Sequence, residues 1–422
     1  MSKLIKLSEA IRYSNDRIGA NELDCSTYVG IDNLLPNKEG LRSADTLPAG
    51  LTSVPSYKEG NILVGNIRPY LKKIWYSDKT GACSADVLNF EVNDGFDPRF
   101  VYYAMLRDDF FSHMMRGAKG TKMPRGDKAH ILEFLIPEFD LRRQEKISEV
   151  LSSIDKKIAI NKRIILQLDE LGLEIYKFWF EQYNFPNPIG KPYKDSGGHM
   201  KWDNSLKREV PSDWDVSSFS ELIKSDKGGD WGEETPHGNY QLEVNCIRGT
   251  DINGINGLEE CDPPVRYILL RNKEKTLSPR DLVVEISGGS PTQSTGRMAF
   301  LTDQTFTRFD KQLICSNFCK AISLKDNLLL FPFAYRWNAL YNHGTFFSYE
   351  GKTSGIKNLL FEAATESCFM AIPSMDVLMK FDELIGGFEA KKQICLLENQ
   401  LLVRLRDWLL PLLMNDQIQI GQ

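Results

Sequence analysis

The chain has 422 residues, of which 42% are hydrophobic and 26% are charged, and its formal net charge is −5 at pH 7. This length exceeds one ordinary core and predicts two or three globular domains. Without an apolar run of ~18 residues or a signal-peptide pattern, we expect a cytoplasmic protein. Because the chain is acidic, any basic residues that bind nucleic acid must be concentrated locally or assisted by partners.

The eight cysteines form no CxxC pair, and the five histidines form no HExxH or Cys/His pattern. This composition predicts reduced, mostly buried thiols and no metal site. Basic residues do cluster in two stretches, each with five cations and one acidic residue, at positions 116–128 and 266–280. A cluster of this size is more often a solvated loop than a binding site, so it decides little alone.

The sequence repeats itself at offsets of 212 to 236 residues, and the matches occur in the same order in both copies. The paired segments are 7–11 with 219–223, 60–64 with 280–284, 83–84 with 315–316, 119–121 with 351–353, and 135–137 with 371–373. Each match alone is at chance level, but five in one order indicate a duplicated domain.

Each copy ends in a long heptad pattern that predicts a helix. In the first, apolar residues recur along 147, 154, 168 and 175 and along 150, 164, 171 and 178, with Asn161 and Lys157 at the remaining seam positions. In the second they recur along 377, 384, 405 and 412 and along 381, 388, 395, 402 and 409, interrupted by Lys391 and Glu398. These four polar residues would set the register of a helix pair.

A helix of roughly 40 residues is a rod of ~60 Å with one narrow apolar stripe to bury. We expect the two helices to pair with each other as an antiparallel coiled coil, since both have similar length and each follows an equivalent domain. The alternatives are that each helix packs on its own domain or dimerises with another chain. The pattern therefore predicts an α+β fold, with two pseudo-repeated domains separated by two long antiparallel helices.

The predicted boundaries follow from these patterns and from a segment rich in Pro, Gly, Asn and Lys. They are a first domain at 1–139, a helical spacer at 140–183, a linker at 184–210, a second domain at 211–372, a second spacer at 373–415 and a tail at 416–422.

Four segments resemble catalytic motifs, and each lacks a required part. Asp262-Pro-Pro-Val265 lacks the aromatic residue of an amino-methyltransferase loop, and Gly351-Lys-Thr353 lacks the upstream glycine of a phosphate-binding loop. Glu389-x-Lys391 is half a nuclease motif, and the Gly-rich stretch at 227–231 has no partner signature. We expect no catalysis by this chain.

The order of domain, long helix, linker, domain and long helix resembles the specificity subunit of type I restriction–modification systems. The nearest local matches are Leu135-Ile-Pro137 with the helix start at 142–147, and the C-terminal run at 398–411. The strand–loop segments 60–70 and 280–297 and the segment Pro211-Ser-Asp-Trp214 are also similar to that family.

The resemblance implies a non-catalytic subunit that recognises double-stranded DNA and docks two modification (methyltransferase) subunits, with restriction (translocase and nuclease) subunits added in the endonuclease. It implies no cofactor in this chain, since S-adenosylmethionine, ATP and Mg²⁺ belong to the partner subunits. Two alternatives remain at this point: a self-contained DNA adenine methyltransferase, and a coiled-coil scaffold with no role on DNA.

Under this interpretation DNA contacts come from two equivalent loop sets rich in basic and amide side chains flanked by glycine. The first set is Arg68, Tyr70, Lys72, Lys73, Lys119, Thr121, Lys122 and Arg125, and the second is Ser290, Gln293, Arg297, Lys352, Thr353, Ser354 and Lys357. Two domains held apart by the helices predict a bipartite target with a fixed spacer. A ~60 Å rod corresponds to at most roughly 17 base pairs between half-site centres.

Overall fold

The structure is a computed structural model that describes residues 3–259, 261–290, 292–353 and 355–418, without the side chains of residues 352 and 353. The chain forms two compact units. Unit 1 comprises Met1–Ile158 and Leu401–Gln422, and unit 2 comprises Ala159–Gln400. No helix in the described ranges is long and apolar enough to cross a membrane.

The described residues of unit 1 form ten strands and four short helices before the first long helix. The strands are β1 (Leu4–Lys6), β2 (Ile11–Tyr13), β3 (Arg17–Gly19), β4 (Tyr28–Val29), β5 (Ser53–Tyr57), β6 (Ile62–Gly65), β7 (Ile74–Tyr76), β8 (Gly81–Cys83), β9 (Val87–Val92) and β10 (Leu135–Pro137). The helices are α1 (Leu7–Ala10), α2 (Pro98–Leu106), α3 (Asp108–Arg116) and α4 (Lys128–Leu132).

The central sheet of unit 1 has the strand order β2-β9-β6-β7, with antiparallel neighbours throughout. A second sheet has the order β3-β5-β8-β4, and β1 pairs with β10. Along β6 the side chains alternate between two cores, as a strand period of two requires. Ile62 and Val64 pack in the cluster that includes α2 and α3, whereas Leu63 packs in the cluster on the other face.

Unit 2 contains fourteen described strands and five short helices. The strands are β11 (Met200–Asp203), β12 (Arg208–Pro211), β13 (Asp215–Ser218), β14 (Ile223–Gly228), β15 (Tyr240–Ile247), β16 (Val265–Leu269), β17 (Leu282–Glu285), β18 (Ser287–Gly288), β19 (Met298–Phe300), β20 (Gln312–Cys315), β21 (Cys319–Leu324), β22 (Glu350–Thr353), β23 (Ile356–Leu359) and β24 (Phe369–Ile372). The helices are α6 (Phe219–Leu222), α7 (Ile252–Ile255), α8 (Asp303–Phe306), α9 (Leu330–Asn342) and α10 (Phe361–Ser367).

The central sheet of unit 2 has the order β14-β21-β17-β19, again antiparallel throughout. These strands stand in the same sequential places as β2, β9, β6 and β7. The alternation is also the same: Leu282 and Val284 pack in one core and Val283 in another. Each unit also has one parallel strand pair, β4 with β8 and β15 with β20.

Residues 184–210, expected to be a linker, are a folded part of unit 2, which corrects the sequence interpretation. Strands β11 and β12 form an antiparallel hairpin in this segment. The Phe185 ring stacks on Trp214, with centroids 4.9 Å apart, and Tyr183 meets the same indole edge-on at 5.6 Å. The Pro and Gly residues lie in the turns at 186–198 that precede the hairpin, and the buried aromatics hold the segment against the domain.

The two long helices are α5 (Leu141–Tyr176), continued by a π-helical turn at Lys177–Glu181, and α11 (Met375–Met414). Each predicted seam consists of two sets of residues spaced by seven, which we call tracks. In each helix, one of the two predicted tracks differs from the residues that are buried. On α5 the first predicted track is buried at Ile147, Ile154 and Asn161 and half-buried at Leu168 and Ile175. The second track lies one residue later than predicted, at Leu151, Ile158 and Ile165. Lys157, predicted for that track, is exposed.

On α11 one predicted track is buried at Phe381 and Cys395 and half-buried at its other members, and the other track again lies one residue later than predicted. The buried members of the shifted track are spaced by seven or fourteen residues: Leu378, Ile385, Lys392, Arg406 and Leu413. Lys391 is exposed, so the expectation that it sets the register is wrong, and Lys392 takes the buried position. A search for apolar residues alone chooses the wrong track because two members of the buried one are cations.

Candidate nucleic-acid interface

In unit 1 the backbone brings the two predicted loop segments together. The amide of Arg68 donates to the carbonyl of Pro124 at 2.8 Å, and Ile67 forms a β-bridge with Arg125. Lys119 and Arg125 exchange two backbone hydrogen bonds of 2.9 and 3.0 Å. Residues 67–73 and 119–125, which we call loop set 1, therefore form one continuous surface.

Several side chains of loop set 1 project into solvent, namely Arg68, Tyr70, Thr121 and Lys122. Arg68 and Lys72 have φ of 52°, and they flank the 3₁₀ turn Pro69–Leu71. Left-handed backbone is uncommon for residues other than glycine and persists only where the surrounding structure enforces it. The turn thus fixes the direction in which the Arg68 and Tyr70 side chains leave the backbone.

Other cations of loop set 1 have acidic or carbonyl partners within unit 1. Lys72 binds Asp108 at 2.9 Å, Lys119 binds Asp127 at 2.7 Å, and Arg125 binds Asp86 at 3.1 Å. The hydrogen bond from Lys119 is the main cause that lowers the pKa of Asp127 to about 2. Burial lowers the pKa of Lys73, whose ammonium donates to the Ile31 carbonyl.

Unit 2 assembles an equivalent surface from its own two loops, residues 287–290 with 292–297 and residues 350–353 with 355–358. We call this surface loop set 2. The short strand β18 pairs with β23, so that Ser287 lies opposite Asn358 and Gly288 opposite Lys357. The Lys357 ammonium donates to the carbonyl of Gln293 at 3.3 Å. The amide of Gln293 in turn donates to the Ser290 hydroxyl at 3.2 Å. The backbones of Lys352 and Thr353 lie in β22, their side chains are outside the description, and Ser354 lies outside the described residues.

Two predicted contacts of loop set 2 are engaged inside the domain. The guanidinium of Arg297 forms two 2.8 Å hydrogen bonds with Glu285, and only 12% of its side chain is exposed. Lys357 binds Glu350 at 3.1 Å and is 14% exposed. Buried carboxylates already balance both charges, so these two residues are less available to a phosphate than the exposed cations of loop set 1, and their contact with DNA stays a prediction.

The helix residues predicted to set the register divide into two groups. Asn161 is 1% exposed, and its amide donates to Glu398 Oε2 at 2.8 Å and to Asn399 Oδ1 at 2.9 Å. Lys157 and Lys391 are exposed instead. A buried amide that bridges two helices is the arrangement by which a polar seam residue can select one register.

Sequence reasoning missed two buried charge clusters at the long helices. In unit 2, Lys392 has no exposed surface and binds Asp169 at 2.8 Å and Glu389 at 2.9 Å. In unit 1, Arg406 binds Asp155 at 3.0 Å. The signal that could have found both cations is their spacing of fourteen residues, two heptads, along the buried track of α11.

It also missed an exposed aromatic pair beside loop set 2, formed by Trp231 and Phe318. Trp231 is 37% exposed and Phe318 is 51% exposed. The 3₁₀ segment Leu270–Lys275 lies alongside, since Asn272 donates to Asp230 at 2.6 Å. Arg271 and Lys273 on that segment are exposed. These residues belong to the basic cluster at 266–280.

The described residues contain no group of three or more His, Cys, Asp or Glu side chains that could hold a metal ion. The two loop sets present cations, amides, hydroxyls and an aromatic ring. Such side chains bind phosphates and base edges.

The architecture is that of an α+β protein with a twice-used sheet order and two long helices. No protein-family model matches the chain. It is 24% identical over 140 residues to the type I restriction enzyme MjaIX specificity subunit of Methanocaldococcus jannaschii, covering 33% of this chain and 30% of that protein. It is 29% identical over 102 residues to the type I restriction enzyme EcoDI specificity subunit of Escherichia coli, covering 24% of this chain and 22% of that protein.

The crystal structure of the type I restriction–modification S subunit from M. genitalium matches 100% of this chain and 97% of its own, with a TM-score of 0.58 and 14% identity. At that identity the match shows the fold alone. The aligned stretches span less than a third of the length of the curated relatives. The predicted resemblance to type I specificity subunits is confirmed, in sequence over these stretches and in fold over the whole chain.

Proposed function

We propose that this chain is the DNA-recognition (specificity) subunit of a type I restriction–modification complex. The observation that carries the proposal is the pair of loop sets, each built at the same place beside a sheet of the same strand order. Each loop set would recognise one half of a bipartite target in double-stranded DNA. The chain would be non-catalytic, with S-adenosylmethionine, ATP and Mg²⁺ bound by the partner subunits.

The decisive experiment is to sequence the DNA of a host that expresses the cognate modification subunits with this chain. We expect methylated adenines in a target of two parts separated by a spacer of fixed length. Exchanging residues 212–372 for another such domain should change one half-site only. Inserting one heptad near Asn161 should keep both halves and lengthen the spacer. A continuous target, or a domain exchange that alters both halves, would contradict the proposal.

Phosphate binding can be tested by the salt dependence of DNA affinity. Replacing both Arg68 and Lys122, which are exposed, with alanine should lower the slope of log K against log salt by about two units. The matched control is Arg297→Ala, since that guanidinium is engaged by Glu285. We expect the control to leave the slope unchanged in protein that remains folded. An unchanged slope in the double variant would remove loop set 1 from the interface.

The long helices would dock the modification subunits through apolar side chains that the chain leaves exposed. In unit 1 these are Leu401, Leu405 and Trp408, and in unit 2 they are Ile160, Leu171, Phe178 and Ile394. A glutamate at such a position places a charge in the interface, so Trp408→Glu should abolish co-purification with the modification subunit. Trp202→Glu is the matched control, because Trp202 is 62% exposed and Trp408 60%, but Trp202 lies on the β11–β12 hairpin.

A further inference from the structure

The two units share one tight turn, between β8 and β9 in unit 1 and between β20 and β21 in unit 2. In unit 1 the amide of Ser84 donates to the Val29 carbonyl at 2.8 Å, and that of Val87 donates to the Ser84 carbonyl at 3.0 Å. In unit 2 Ser316 donates to Ile247 at 2.9 Å, and Cys319 donates to Ser316 at 2.9 Å. The backbone hydrogen bonds of the two turns therefore correspond one to one.

The third residue of each turn contacts the predicted loop set of its own unit. The carbonyl of Asp86 accepts from the amide of Asn66 at 3.0 Å, just before loop set 1. The carbonyl of Phe318 accepts from Ile286 at 2.8 Å and from Ser287 at 3.1 Å, at the start of β18. Asp86 and Phe318 thus occupy equivalent positions, each beside the loops proposed to contact DNA.

The side chains at this position differ in chemistry. Asp86 binds Arg125 of loop set 1 at 3.1 Å. Phe318 leaves 51% of its surface in solvent, and its backbone is fixed by the two hydrogen bonds to its carbonyl. Unit 1 therefore offers an ion pair where unit 2 offers an exposed apolar ring on a hydrogen-bonded backbone.

A second aromatic residue is fixed next to Phe318. The amide of Trp231 donates to Asn317 Oδ1 at 3.0 Å, and Asp230 donates to the Cys315 carbonyl at 2.9 Å. The nearly buried guanidinium of Arg266 lies 3.9 Å from the Trp231 ring centre and donates to its carbonyl at 3.2 Å. The indole therefore packs on the Arg266 guanidinium, and the Trp231 backbone is bound to the Asn317–Phe318 turn.

We propose that Phe318 contacts the C5 methyl group of a thymine in the major groove and is a specificity-determining residue of unit 2. This inference rests on the proposed function. Apolar contact with the thymine methyl is the means by which a ring without hydrogen-bonding groups distinguishes bases in the major groove. The exposed cations Arg271 and Lys273 on the adjoining 3₁₀ segment suit a nucleic-acid partner.

The test uses the complex of this chain with its modification subunits and duplexes that carry the methylated target. The half-site of unit 2 is the one that changes when residues 212–372 are exchanged. Each thymine of that half-site is replaced in turn by uracil, which lacks only the methyl group. With the unaltered chain we expect one replacement to weaken binding about five-fold. In Phe318→Ala that uracil effect should disappear, whereas Phe318→Leu, which stays apolar, should retain part of it.

Trp202→Ala is the control, since this exposed tryptophan lies on the β11–β12 hairpin, and it should keep the full uracil effect. The inference is overturned if the half-site contains no thymine, if uracil has no effect at any position, or if Phe318→Ala keeps the thymine preference. In these cases the unaltered complex still binds and methylates a bipartite target. Failure of the proposed function is distinct, because the unaltered complex would then recognise no such target.

Discussion

The two units use one backbone plan and different side chains at corresponding places. Their central sheets have the orders β2-β9-β6-β7 and β14-β21-β17-β19, and the turns at 84–87 and 316–319 have matching hydrogen bonds. At the tip of the turn one unit has Asp86 and the other Phe318. Because backbone hydrogen bonds and strand alternation specify the plan, the exposed side chains can change without altering the fold.

The contacts that each domain makes with a long helix also follow one backbone plan with different side chains. Tyr103 lies five residues after the start of α2 and Tyr335 five after the start of α9, while Asp155 and Glu389 each lie fourteen residues after the start of their long helix. Tyr103 donates to Asp155 at 2.6 Å, and Asp155 binds Arg406. In unit 2 the cation beside Glu389 is Lys392, which lies on the same helix. In each unit a cation compensates a carboxylate that lies near a tyrosine, but the cation comes from a different position in the sequence.

The largest expected effect concerns the folded segment that precedes the second domain. Replacing Trp214, fully buried among Phe180, Tyr183 and Phe185, with alanine should lower the free energy of unfolding of unit 2 by about 3–5 kcal/mol. Hydrogen exchange of peptides from each unit is the measurement, and unit 1 should keep its protection. Trp202→Ala is the control and should have little effect. If Trp214→Ala leaves unit 2 unaffected, residues 184–210 are a linker after all.

The next largest effect should follow from removing the buried cation of unit 2. Lys392→Met leaves Glu389, which is 2% exposed in its side chain, without its counter-charge, and should destabilise unit 2 by about 3 kcal/mol. The control is Lys391→Met, one residue away on the exposed side of α11. Equal effects of the two variants would show that the predicted seam, rather than the observed one, faces the core.

The loss of stability in Lys392→Met should depend on pH in a defined direction. Burial raises the pKa of Glu389, and loss of Lys392 should raise it further. A carboxyl whose pKa is higher in the folded state than in the unfolded state loses stability as pH rises through that interval. Urea unfolding should therefore find Lys392→Met more strongly destabilised at pH 8 than at pH 5. The opposite trend would mean that Glu389 is hydrated in the variant.

Much of the repeated plan could be predicted from the sequence, because alternating apolar strands and short repeated motifs reflect local physics. The strand–loop segments 60–70 and 280–297, which match between the two copies, contain β6 and β17. On α11 the predicted seam failed by one residue in one track because Lys392 and Arg406 occupy core positions. The fourteen-residue spacing of the two cations can mark that track, but the carboxylates that compensate them, Asp169 and Asp155, lie on α5 and cannot be read from α11 alone.

The candidate interface was predicted at the level of loops but not at the level of side chains. The loops converge because strands β18 and β23 pair, and because Ile67 bridges Arg125. Whether a cation is free depends on which acid lies opposite it in space, as Glu285 does for Arg297. Exposed aromatics such as Phe318 escaped notice because aromatic residues in a strand pattern are ordinarily assigned to the core.

A smaller effect should distinguish two glycines of the long helices. A Cβ at Gly172 would lie 2.3 Å from the Tyr335 hydroxyl, whereas a Cβ at Gly387 would meet nothing within 4 Å. Gly172→Ala should cost about 1–2 kcal/mol, because overpacking outweighs the gain in helix propensity. Gly387→Ala should raise the free energy of unfolding by about 0.5–1 kcal/mol, because only the gain in helix propensity acts at that position. Thermal unfolding that shifts both variants in the same direction would mean that Tyr335 moves aside freely.

The smallest effect should come from a histidine pair that lies in unit 1. The rings of His113 and His130 stack with centroids 4.1 Å apart, and His113 Nε2 donates to the His130 carbonyl at 2.7 Å. Burial is the main cause that lowers the pKa of His113. Below about pH 6.5 the unfolded chain therefore binds a proton that folded His113 resists, so unit 1 loses stability as pH falls.

The expected loss between pH 7 and pH 5 is less than about 1 kcal/mol, because solvent screens a ring that is only partly buried. His113→Gln keeps a hydrogen-bond donor but cannot be protonated in this range. Taking the difference in free energy of unfolding between the unaltered chain and this variant removes the contribution of carboxyl groups that titrate in both. Urea unfolding, with hydrogen exchange of unit 1 peptides to locate the change, should find that this difference shrinks as pH falls. A constant difference would mean that His113 is protonated as readily in the folded chain as in the unfolded one.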